Sequence, residues 1–172
     1  MRNYWSLKLS EVVFFSLLVF CGTASAQFSP DKTLLPGSAA GNYLFPINPG
    51  RTSIITGTMG ELRNTHFHAG LDIDTPGVGY PVFSVQDGYV SRITCTTGGY
   101  GNVLYITHPD GNTTLYAHLD EFKGALGEFI RRERYTRKVS EIDLQFSPNQ
   151  FPVTQGEVIA LSGNTGGSGG PH

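Results

Sequence analysis

Between residues 54 and 162 the chain is cut at short intervals by glycine, proline, asparagine and aspartate, which confines it to short elements. Asp87-Gly88 lies between two strand-type runs, 81–85 and 89–93, and predicts a tight hairpin. Pro109-Asp110-Gly111-Asn112 predicts a second reversal, between the runs 102–108 and 113–119. Gly98-Gly99-Tyr100-Gly101 reads as a flexible loop, and 153–162 as the strand that closes the meander. With 22 glycines in 172 residues, this patterning predicts an all-β domain, a compact antiparallel sheet structure. Basic and acidic side chains nearly balance, 12 against 14, so charge gives no case for nucleic-acid binding.

Residues 1–26 read as a secretory signal peptide: Arg2 and Lys8 precede an apolar run at 12–20, and Ala24-Ser25-Ala26 forms a small-residue cleavage site. That apolar run is too short for a membrane span, so no stable span is expected after cleavage. Residues 27–50 form a lead-in, where Pro30, Pro36, Pro46 and Pro49 rule out long regular elements and Leu34, Leu35, Tyr43, Leu44 and Phe45 supply packing. The domain proper is 51–172, opening with a strand at 54–59. It carries an insertion, 122–152, in which Leu126, Phe129 and Ile130 mark one short helix and 139–146 one more strand. That helix is basic, with Arg131, Arg132, Arg134, Arg137 and Lys138, which suits a solvated face or contact with an acidic polymer. Past residue 26 Cys95 is the one cysteine, so no internal disulfide forms, and it reads as a small buried side chain.

Chemistry concentrates in His66-Phe67-His68-Ala69-Gly70-Leu71-Asp72-Ile73-Asp74, two imidazoles and two carboxylates within one short stretch. Neutral imidazole and carboxylate are the ligands that zinc takes in catalytic sites. The alternation of Leu71 and Ile73 with Asp72 and Asp74 is strand period, which puts His68, Gly70 and Asp72 on one face and Leu71 and Ile73 in the core. A straight strand would hold the Cα atoms of His68 and Asp72 about 13 Å apart, at roughly 3.3 Å per residue, too far for one metal ion. A bend or bulge is therefore expected at Ala69-Gly70. On the strand 113–119, Thr114, Tyr116 and His118 share one face.

Four blocks in this order resemble the lysostaphin/LytM family of zinc metalloendopeptidases, which cut peptide bonds in bacterial cell wall. They are His68-Ala69-Gly70-Leu71-Asp72; Gly101-Asn102-Val103-Leu104-Tyr105-Ile106; Tyr116-Ala117-His118-Leu119; and residues 156–166 leading into Ser168-Gly169-Gly170-Pro171-His172. The resemblance spans residues 57–172, with 122–152 poorly matched. It implies a LytM-like sandwich/barrel hybrid with a groove across one sheet, where an extended peptide would lie between glycine-rich rims at 98–101 and 163–170. It implies His68 and Asp72 as ligands of Zn2+, and His118 and His172 as catalytic histidines. In the family the last block ends His-x-His, whose second histidine is the third zinc ligand. That position would lie two residues past His172, so the sequence is expected to be a truncated reading of a longer protein. His66 is expected behind the ligands or on the rim of the site, and Asp74 is a candidate partner of Asp72 or a surface carboxylate.

The function so implied is an exported hydrolase of the periplasm or cell envelope, or an extracellular one, acting on peptidoglycan cross-links or another exported peptide. A zinc ion with one open position activates water and polarises the scissile carbonyl. His118 and His172 would orient that water, move its proton and hold the developing oxyanion. The alternative is a catalytically inactive LytM-like module that binds wall or regulates other wall enzymes. A metal-free carbohydrate-binding module leaves the spacing of the four residues unexplained.

Overall fold

A computed structural model describes residues 42–172. The signal expected at 1–26, together with Leu34 and Leu35 of the lead-in, lies outside the described residues. The strands are β1 (Ile55–Gly57), β2 (Asp72–Ile73), β3 (Pro81–Phe83), β4 (Gly88–Cys95), β5 (Asn102–Thr107), β6 (Thr113–Tyr116) and β7 (Glu121–Phe122). After α1 (Gly124–Arg137) follow β8 (Ile142–Gln145), β9 (Pro152–Val153) and β10 (Val158–Leu161). All pairings are antiparallel. β1 and β2 form a small ribbon, β3-β10-β7 a second sheet, and β6-β5-β4-β8 with β9 beside β4 the largest. The domain is all-β with a single helix, and no sheet among the described residues closes into a barrel.

The core lies where the two larger sheets and α1 meet. Val82, Phe122, Ile159 and Ala160 come from one sheet, Val90, Ile93, Leu104, Ile106 and Tyr116 from the other, and Leu126 and Ile130 from the helix. β4 shows how the pattern fits both ends of a long strand. Val90 is buried, but the next buried side chains are Ile93 and Cys95, a switch of parity. The register against β5 shifts between Val90 and Arg92, and this bulge at Ser91 keeps apolar side chains inward on both sides of it. Burial also pushes the Cys95 thiol up, as suits a packed side chain.

Residues 122–152 follow their sequence pattern. Leu126 and Ile130 are buried on α1, and half-buried Phe129 meets Phe146 and Phe151 edge-on at 5.8 and 5.4 Å. The helix stops at Lys138 in the left-handed region, and Arg134 and Arg137 in its last turn suit the negative end of the helix dipole. β8 then extends the edge of β4. From the lead-in, Ile47 is buried, and the Leu44 amide donates to the Val85 carbonyl at 2.8 Å.

Three local expectations need correction. The runs around Asp87-Gly88 do not form a hairpin: β3 pairs with β10 and β4 with β5. Buried Ser84 donates to the Gln86 carbonyl and the Val85 amide to the Tyr116 hydroxyl, so this turn passes the chain from one sheet to the other. The histidine stretch is strand only at Asp72–Ile73; Ile73 packs on the core, but Leu71 is 53% exposed. His118 lies beyond the end of β6, with φ of 56°, and so leaves the face of Thr114 and Tyr116.

Glycine is needed where the two rims meet. Gly101 and Gly166 have φ of 67° and 75°, and a Cβ on Gly101 would stand 2.4 Å from Thr165 Oγ1. One on Gly166 would stand 2.4 Å from the Gly101 nitrogen. Gly101→Ala and Gly166→Ala should each lower unfolding stability by about 2–4 kcal/mol, overpacking adding to left-handed strain. Gly111→Ala, with nothing within 4 Å of its Cβ, should cost only the strain of its φ, about 1–2 kcal/mol. Equal losses for all three in denaturant melts would contradict this packing.

Candidate functional site

The loop before β2 is folded back by backbone bonds. Leu62 bridges Phe67, the Gly60 amide donates to the His68 carbonyl at 2.7 Å, and the His68 amide donates to the Glu61 carbonyl at 2.8 Å. These fix the backbone of His68. The chain bends at Gly70, where the spacing of His68 and Asp72 requires it, and β2 then pairs with β1 opposite Gly57. Because Gly57 has no side chain, the Asp72 carboxylate and the Arg63 guanidinium occupy that space; a Cβ there would stand 2.3 Å from Asp72 Oδ2. His118 is placed by its left-handed backbone, with its amide donating to the Tyr100 carbonyl at 2.9 Å. Such a φ is uncommon outside glycine, and residues held in it cluster at functional sites.

The rings share one pattern of anchoring. His68 Nδ1 lies 3.0 Å from the Thr58 carbonyl oxygen, His118 Nδ1 lies 2.8 Å from that of Thr165, and His172 Nδ1 lies 2.8 Å from that of Gly170. A carbonyl only accepts, so each Nδ1 carries the proton and each neutral ring keeps its lone pair on Nε2. His68 Nε2 faces Asp72 Oδ1 at 3.0 Å, and His172 Nε2 lies 3.6 Å from the same oxygen. Acceptors so close repel unless a cation stands with them, either a proton or a metal ion. The His118 ring stacks tilted on His172 at 4.9 Å, and the Tyr100 ring lies tilted to His118 at 6.3 Å. By contrast, buried His108 bonds through both nitrogens, to the Asp87 carbonyl and the Thr114 hydroxyl, and belongs to the core.

All four side chains singled out in the sequence, His68, Asp72, His118 and His172, line one cleft of about 640 Å³. His66 is on its wall, exposed, with Nδ1 3.1 Å from the Thr65 hydroxyl. Asp74 is exposed and does not support Asp72. The partner of Asp72 is Arg63, which sequence reading passed over: its Nη2 donates to Asp72 Oδ2 at 2.6 Å. Tyr100 and Thr165 were also passed over. Only pairing in space identifies these residues, since nothing in their own spacing marks them.

The donor set of imidazole nitrogen and carboxylate oxygen, with each Nδ1 tied to a carbonyl, suits a zinc-type ion. His68 and Asp72 supply two such donors. Among the described residues no group of three or more histidine, cysteine or carboxylate side chains is arranged to hold a metal ion.

Residues 66–139 match Peptidase family M23. Over 111 residues the chain is 35% identical to the DD-carboxypeptidase/endopeptidase Mpg of Neisseria meningitidis serogroup B, covering 64% of this chain and 20% of that protein. It is 32% identical over 126 residues to the peptidoglycan DD-endopeptidase ShyB of Vibrio cholerae, covering 73% of this chain and 22% of that protein. An uncharacterized metalloprotease of Haemophilus influenzae is 30% identical over 127 residues, 74% of this chain and 20% of its own length. The chain thus spans about a fifth of the length of these relatives. The match begins at the histidine stretch whose side chains line the cleft, so residues 66–139 carry the peptidase family M23 pattern.

Proposed function

We propose that this chain is the catalytic domain of an exported zinc endopeptidase that hydrolyses the peptide cross-links of peptidoglycan. The observation that carries the reading is the approach of His68 Nε2 to Asp72 Oδ1 at 3.0 Å, two acceptors that call for a shared cation. Peptidoglycan and peptide-bond cleavage come from the names of the relatives, Mpg and ShyB. The signal-like pattern of residues 1–26 supports export, to the periplasm or cell envelope or to the outside of the cell. No helix among the described residues is long and apolar enough to cross a membrane.

When bound at His68 and Asp72, a zinc ion would supply Lewis acidity, making water a nucleophile near neutral pH and polarising the scissile carbonyl. The residues of the chain do the rest. His118, fixed through Nδ1 to Thr165, turns an unprotonated Nε2 to the cleft and can take a proton from the attacking water. The same ring can return it to the leaving amine. His172, stacked on His118 and held by Gly170, can hold the developing oxyanion when its Nε2 is protonated. The glycines of the rims keep side chains away from the path of an extended peptide.

The test is digestion of purified, cross-linked peptidoglycan by the full-length protein, with products identified by mass spectrometry. Cross-linked dimers should fall to monomers, a chelator should stop the reaction and added zinc should restore it. Zinc binding without cleavage would favour a wall-binding or regulatory module instead. His68→Ala and Asp72→Ala should each lose zinc and activity together; zinc at full stoichiometry in both variants would remove them from the metal shell. His118→Ala should keep its zinc while turnover falls about 10²–10⁴-fold, the usual worth of a positioned proton carrier. Loss of the metal from that variant would make His118 a ligand instead.

A further inference from the structure

Asp72 is gripped from two sides by different chemistry. Its Oδ1 faces the Nε2 atoms of His68 and His172, whereas its Oδ2 accepts from Arg63 Nη2 at 2.6 Å. The same Nη2 reaches Glu61 Oε2 at 3.4 Å, and that oxygen also accepts the Thr58 amide at 3.2 Å. The Thr58 carbonyl in turn receives His68 Nδ1–H at 3.0 Å. Thr58, Glu61, Arg63, Asp72 and His68 therefore close a ring of polar contacts around one carboxylate. The guanidinium is placed for Asp72 and not for its own saturation: its Nε is buried without a hydrogen-bond partner. Gly57 leaves the room in which the pair meets, since a Cβ there would stand 2.5 Å from Arg63 Nη2.

We propose that Arg63 is the positioning residue that makes Asp72 a one-oxygen metal ligand, by occupying Oδ2 and leaving Oδ1 alone to face the ion. This rests on the reading of His68 and Asp72 as zinc ligands. A carboxylate free to rotate can bind a cation through one oxygen or both. With Oδ2 held by a short charge-assisted bond, rotation is blocked, and the position that Oδ2 would otherwise take stays open. The cation beside Asp72 would by itself weaken the attraction for a metal ion. Glu61 restores one negative charge to the ring, which leaves it net negative with Asp72 ionised. Lysine at 63 would keep a charge and a donor, whereas methionine would keep only the bulk.

The experiment loads the full-length protein with cobalt(II) in place of zinc and measures affinity by chelator competition, together with the visible absorption of the ion. Arg63→Met should bind zinc and cobalt about 10–100-fold more weakly, as is usual when a partner of a ligand is lost. Its cobalt absorption should also weaken, as the freed Oδ2 raises the coordination number. Arg63→Lys should recover part of both. An Arg63→Met protein with the parent's affinity and spectrum would overturn the proposal while leaving His68 and Asp72 as ligands. A parent that binds neither metal would overturn the functional reading, and this inference with it. Should Arg63→Met not fold, X-ray absorption on the cobalt-loaded parent decides: a one-oxygen carboxylate supports the proposal, and a two-oxygen carboxylate overturns it.

Discussion

Thr165 ties together the segments from which the cleft is built. Its hydroxyl accepts the Asn102 amide at 2.9 Å and donates to the Leu119 carbonyl at 2.9 Å, while its own carbonyl receives the His118 ring at 2.8 Å. One residue thus joins the start of β5, the turn after β6 and the segment that leads to His172. The Gly167 amide, donating to the Gly99 carbonyl at 2.8 Å, continues the seam. Backbones approach this closely only where Cβ atoms are missing, which is why both rims are rich in glycine. A seam of this kind also fixes function. The direction of the His118 ring depends on a carbonyl that moves only if the whole rim moves.

The other wall adds an ionic contact to its backbone bonds. Gly57, Arg63 and Asp72 share one small volume in which the missing glycine side chain makes room for an ion pair. The Arg63 side chain is 37% exposed and that of Asp72 18%, so the pair is neither fully screened nor fully desolvated. Its worth lies in geometry. It sets which carboxylate oxygen meets the imidazoles, and the fold has to hold the 58–68 loop shut to keep it so. The exposed apolar side chains of that loop, Met59, Leu62 and Phe67, contribute little burial, so backbone bonds carry it.

Much of this was legible in the sequence. The antiparallel β class followed from turn residues and strand period, and the helix from the stripe of Leu126, Phe129 and Ile130. The bend at Ala69-Gly70 followed from strand rise, glycine's freedom and the reading of His68 and Asp72 as ligands of one ion. What the sequence hid was tertiary. Asp87-Gly88 carries a hairpin signature, yet partners for β3 and β4 were chosen by the two sheets, in contacts far along the chain. Leu71 obeys the strand alternation but stands outside the two-residue strand that the structure keeps. Sequence period puts His118 on a strand face, but its amide and ring are held by the Tyr100 and Thr165 carbonyls, which come from distant segments. Arg63 looks like any exposed arginine until β1 and β2 pair.

The account turns on one arrangement: rings anchored at Nδ1 by backbone carbonyls, so that the Nε2 lone pairs face Asp72 and the cleft. Nitrogen–proton correlation spectra of the histidine rings in the zinc-loaded, full-length protein report it most directly. His68 and His118 should each show a proton on Nδ1, with Nε2 of His68 shifted by the metal. A proton on Nε2 of His68, or zinc coordinated through its Nδ1, would contradict the arrangement from which the rest is argued.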